Sequence, residues 1–143
     1  MQKLLRLLAV LAGLSLASAP AHAAVVHLGA SLWGLQYPDA GSDPDGYGTL
    51  FMEINTTSSY VCYSLSTDGV RLGSVAAAIH AGGAGETGPV ALAISVTRAG
   101  NDACGKLDAA ALERIIADPA AFYVSVRNKE FPNGAIRGQL ERK

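Results

Sequence analysis

Apolar and polar side chains alternate along most of this chain, and that period of two limits what it can fold into. Val90, Leu92, Ile94 and Val96 alternate with Ala91, Ala93 and Ser95, which puts the branched residues on one face of an extended strand. Val26, Leu28, Ala30 and Leu32 repeat the pattern, as do Leu50, Met52 and Ile54, and then Val61, Tyr63 and Leu65. Turn-forming stretches separate these runs: Pro38 to Gly46, Asn55 to Ser59, Thr67-Asp68-Gly69, Gly82 to Pro89 and Asn133-Gly134. A strand with one apolar face can bury it only against another layer. Short alternating strands between turns therefore predict an all-β fold, an antiparallel sandwich or barrel.

One segment follows a different period. Leu107, Leu112, Ile115 and Ile116 recur at helical spacing. Asp108 stands where its carboxylate can cap the first turn, and Leu107 where it can pack on Leu112 as a staple. Pro119 ends the run, because the residue before a proline avoids helical angles. The spacing predicts one short inserted helix over 108–117, covering an end or edge of the sheet.

The N-terminus has the pattern of an export signal. Lys3 and Arg6 precede an apolar run from Leu7 to Leu16, and Ala21-His22-Ala23 supplies the small residues of a cleavage site. The expectation is a signal peptide over 1–23 and a single domain over 24–143, secreted or periplasmic. The apolar run is shorter than the roughly 20 residues that cross a membrane, so no membrane span is expected. Ala24 rather than a cysteine would follow cleavage, which argues against a lipid anchor.

Charge and cysteines narrow the partners. The chain carries 11 basic and 12 acidic residues, and loss of the signal removes two of the basic ones, Lys3 and Arg6. Neutralising phosphates requires clustered Lys and Arg, so no nucleic acid partner is expected. Arg127 with Lys129, and Arg142 with Lys143, read as solvated surface. Cys62 and Cys104 have one possible intramolecular pairing in an oxidising compartment. Closing a loop of that length is worth about 4 kcal/mol in the chain-entropy account. A redox-active pair is the minority reading, since the C-x-x-C spacing is missing.

The stretch from Phe122 to Arg127, followed by Phe131-Pro132-Asn133-Gly134-Ala135-Ile136-Arg137-Gly138-Gln139-Leu140, reads as two strands around a tight turn. Together with Tyr60-Val61-Cys62-Tyr63-Ser64-Leu65 and the glycine-rich loop after Ile79-His80-Ala81-Gly82, it resembles the chordin-type (CHRD) domain from about Val25 to Leu140. The resemblance implies an immunoglobulin-like β-sandwich of Greek-key type in a secreted protein. The expectation is a non-catalytic extracytoplasmic binding or structural module with no cofactor and an unknown partner, an extracytoplasmic protein or a carbohydrate. Family members often carry His-Ile-His at the first site and Val-Asn-Val-His before the hairpin. Here Ala78, His80 and Arg127 occupy those positions, leaving one imidazole where three would stand. The rival reading is a copper- or zinc-binding protein, or a superoxide-dismutase-like redox protein, built on His80. It rests on fold analogy, and a transition-metal site needs three or four convergent ligands, among which a permanent cation such as Arg127 has no place.

Six residues are candidates for a binding site. His80 ends a strand running into the glycine-rich loop, where it either forms a pocket with Glu86 or holds the turn through loop backbone; the second is the expectation. Arg137 faces opposite to Ile136 and is expected to clamp the hairpin through a carboxylate such as Glu130 or Glu53, with an anionic ligand as the alternative. Arg127 stands at a family site position. Trp33 and Tyr37 are expected to cover core or edge, with contact to a carbohydrate or protein as the runner-up.

Other motifs lead to bland readings. Gly82 to Gly88 lacks the Gly-Lys-Ser/Thr of a phosphate loop and precedes a strand, so its glycines serve positive φ. Gly41 to Gly46 has glycine at the first calcium-loop position and Met52 at the twelfth, which leaves Asp39, Asp43 and Asp45 as weak ligands at most. There is no G-x-S-x-G elbow, and no catalytic residue is expected. Asn55-Thr56-Thr57 is a glycosylation acceptor pattern.

Overall fold

The computed structural model describes residues 24–36, 41–70, 76–94 and 101–143. The four alternating runs form β1 (Val25–Trp33), β2 (Tyr47–Asn55), β3 (Tyr60–Asp68) and, after β4 (Ala76–Ala81), β5 (Val90–Ile94). β6 (Asn101–Lys106), β7 (Phe122–Arg127), β8 (Ile136–Gln139) and β9 (Glu141–Arg142) complete the set among the described residues. Val96, expected in the fifth strand, lies outside the described residues.

All of the pairings are antiparallel, and they follow one hydrogen-bonded path, β5-β4-β7-β8-β1-β2-β3-β6, with β9 also on β1. The fold is therefore an all-β, antiparallel sheet curled into a half-barrel. The expected immunoglobulin-like sandwich would leave two sheets without shared hydrogen bonds, and here the final ribbon joins the two halves. β8 pairs with β7 on one side and meets β1 at Trp33 opposite Arg137. Leu140 then donates its N–H to Phe122 O at 3.0 Å, while Glu141 and Arg142 pair with Gly29 and Leu28.

The core lies inside the curl. In β2 buried and exposed residues alternate without a break from Tyr47 to Ile54, and Leu28, Met52, Ile54, Val61, Ile79 and Val124 are 0 % exposed. β7 departs from this pattern, since Phe122 to Val126 are all buried. Val124 and Val126 face the core, whereas Tyr123 and Ser125 point the other way and are covered on that side.

The helix forms as expected. α1 (Ala109–Ala117) is capped by Asp108, whose carboxylate accepts from Ala111 N at 2.7 Å. It buries Ala111, Leu112 and Ile115, and Arg142 donates to Ile116 O at 2.7 Å, satisfying a carbonyl of its last turn. Pro119 opens a 3₁₀ turn over Pro119–Ala121 instead of continuing the helix.

Cys62 and Cys104 form a disulfide between directly opposed residues of β3 and β6, with Cα atoms 4.1 Å apart. The calcium-like loop is a polar turn. Asp43 is buried and its carboxylate accepts from Asp45 N, while Ser42 Oγ donates to Gly34 O. Asn55 likewise turns its side chain inward to the β2–β3 connection, accepting from Thr57 N and Ser58 N.

Candidate functional site

Outward-facing residues of five strands line up in one row across the sheet. The register runs Ser125 (β7), Arg137 (β8), Trp33 (β1), Tyr47 (β2) and Asp68 (β3). One half of this row is covered by the glycine-rich loop and the other is open to solvent. The candidate site is the boundary between the two.

Arg137 organises the covered half. It is 1 % exposed, and its guanidinium donates to Glu86 O at 2.6 Å and to Gly83 O at 3.3 Å. It also lies over the Tyr123 ring, 3.7 Å from the centroid, and the His80 ring stacks on that same tyrosine at 5.1 Å. The loop is pinned at further points. His80 Nδ1 bonds Gly88 O at 2.9 Å, Gly88 N donates to Tyr123 Oη, and Gln139 Nε2 donates to Gly82 O and Ala120 O. Gly82 and Gly85 take positive φ, as the reversal requires.

His80 and Glu86 thus come near each other, but each serves the loop backbone. Glu86 accepts from Gly83 N at 2.9 Å, closing a one-turn reversal with Glu86 N on Gly83 O. The β4–β5 ladder shifts register between Ile79 and His80, leaving Ala91 of β5 unpaired beside the imidazole. The donors of Arg137 clamp this loop through carbonyl oxygens, whereas Glu53, one of the carboxylates expected to receive it, stands beside His27 at 3.4 Å. Arg127 is exposed at the opposite end of β7 from Tyr123, away from the loop. Tyr37 lies outside the described residues. Among those described, no three His, Cys, Asp or Glu side chains gather at metal-binding distance.

The open half is aromatic. Trp33 is 49 % exposed and Tyr47 45 % exposed, and their rings stack at 5.7 Å with 28° between planes. Four residues along β2, Phe51 stacks on His27 at 5.6 Å. Between the two ring pairs lie the exposed hydroxyl residues Ser31, Thr49 and Ser66, which are register partners. Tyr47 Oη donates to Asp68 Oδ2 at 3.0 Å. That bond, then the carboxylate charge, then slight burial push the phenol above its ordinary 10.0.

The family model for the CHRD domain matches residues 11–140, nearly the whole chain. The chain belongs to the CHRD domain family. Neither the search of curated proteins nor that of solved structures returned a match. Within this CHRD domain, Trp33 does not cover core or edge as expected, since its strand lies inside the sheet and its ring is half exposed on the outer face, and the sequence reading missed Tyr47, Phe51 and His27. The signal was present: Tyr47 and Phe51 are large aromatics at the outward positions of an otherwise strict alternation, where small or polar residues suffice. Tyr123 was missed for another reason. Its burial comes from a loop closing over the sheet, which alternation does not reveal. No helix among the described residues is long and apolar enough to cross a membrane.

Proposed function

We propose that this CHRD domain is a non-catalytic, extracytoplasmic binding module that holds a carbohydrate chain against the outer face of β1, β2 and β3. The stacked, half-exposed pair Trp33 and Tyr47 carries this reading. A pyranose ring has flat C–H faces that lie on aromatic rings and an equatorial belt of hydroxyls that needs donors and acceptors. The face offers both, with ring pairs at either end and Ser31, Thr49 and Ser66 between them. Tyr47 and Phe51 are four residues apart on one strand, about 14 Å, which accommodates a short oligosaccharide. Membership of the CHRD family, the disulfide and the signal-like N-terminus support an extracytoplasmic location.

Gel retardation in a panel of soluble neutral polysaccharides tests the reading. The native protein is expected to be retarded by at least one, and Trp33→Ala and Tyr47→Ala each to weaken binding about tenfold, as for anchor residues worth more than 1 kcal/mol. No retardation by any polysaccharide, or equal retardation of the variants, would refute it.

A further inference from the structure

We propose that Cys62–Cys104 is an exchange-competent disulfide that accepts a thiol at Cys104, and that its opening frees β6 from the sheet. The inference stands apart from the carbohydrate reading. The bridge lies on the outer face, in a shallow depression lined by Phe51, Glu53, Ser64 and the two cysteines. Cys104 is exposed and Cys62 half-buried. An attacking thiolate must approach a disulfide sulfur in line with the bond it breaks, from the side opposite the leaving sulfur. For Cys104 that side is beyond β6, where the hydrogen-bonded path of the described strands ends. For Cys62 it is the β2 side, where Glu53 is the register partner and its carboxylate repels an incoming anion. The geometry therefore favours one sulfur over the other.

Besides its backbone ladder to β3, β6 has little among its described side chains to hold it to the core. Its inward positions include Ala103, half-buried, and Gly105, so the side chains among these two give the core one methyl group. β5, at the opposite end of the path, is anchored by buried Leu92 and Ile94. The disulfide takes the place in β6 that such residues take in β5.

The reaction needs a dithiol reductant. Its thiolate attacks Sγ of Cys104, a new S–S bond forms there, and the electron pair of the broken bond leaves on Sγ of Cys62, which takes a proton from water. The second thiol of the reductant then displaces Sγ of Cys104. The reductant is oxidised to its own disulfide, and both cysteines end as thiols.

Two measurements on the purified protein without denaturant test this. Glutathione followed by acid quench and peptide mass spectrometry is expected to show the mixed disulfide on Cys104 and not on Cys62. After dithiothreitol, hydrogen exchange at residues 101–106 is expected to rise about tenfold or more while β1 and β2 keep their protection. A Cys62→Ser/Cys104→Ser chain should show the same pattern. The proposal is overturned if the bridge resists dithiothreitol until the protein is unfolded, if adducts form chiefly on Cys62, or if exchange at 101–106 is unchanged. Loss of protection throughout the sheet on reduction would also overturn it, since the bridge would then be a staple for the whole fold.

Discussion

Arg137 is a permanent cation with almost no exposure, and its hydrogen bonds to Glu86 O and Gly83 O make it the residue on which the glycine-rich loop depends. Arg137→Met keeps the length of the side chain and removes the donors, so a loss of about 2–3 kcal/mol is expected in urea unfolding. A loss within about 0.5 kcal/mol would show that His80, Tyr123 and Gln139 hold the loop unaided. Tyr47 gives a pH prediction. Its folded phenol lies above the ordinary 10.0, pushed up by its bond to Asp68. The favourable contact is fully present below the unfolded value and is lost as pH rises through the folded one. Absorbance titrations of tyrosinate in the native protein and in Asp68→Asn should differ by one phenol, which loses its proton at lower pH in the variant. An unchanged titration curve in Asp68→Asn would remove Asp68 as the cause.

At the scale of elements, the sequence was most legible where burial is one-sided. β2 and β3 read directly from alternation because their inner faces meet the core and their outer faces meet water. α1 was legible from its cap, since Asp108 acts within its own first turn and needs no distant partner. β7 was harder. Its sequence reads as a strand, but burial on both faces comes from a loop some 35 residues upstream, as the Gly88 to Tyr123 bond shows. The site divides in the same way. The loop-holding role of His80 follows from a strand end entering glycines, whereas the clamp from Arg137 to that loop spans 51 residues and has no local signature.

For the whole molecule, the join made by the last ribbon distinguishes this fold from two facing sheets, and it depends on close backbone contact. A Cβ on Gly138 would meet Ser31 O at 2.1 Å and Ser31 C at 2.7 Å. Both obstacles are backbone, so they cannot turn aside as a side chain would. Gly138→Ala is therefore expected to force β8 away from β1 and to cost about 3 kcal/mol or more, at the upper end for overpacking. A denaturation midpoint equal to that of the native protein would show that the two halves are held by something other than this ribbon.

The register that sets Trp33 opposite Arg137 has a practical consequence. The chain contains a single tryptophan, and it stands half in solvent where the covered and open parts of the outer face meet. The intrinsic fluorescence of this protein is thus the emission of one address, and a shift in its wavelength registers events on the aromatic surface and in the neighbouring loop without any label being attached.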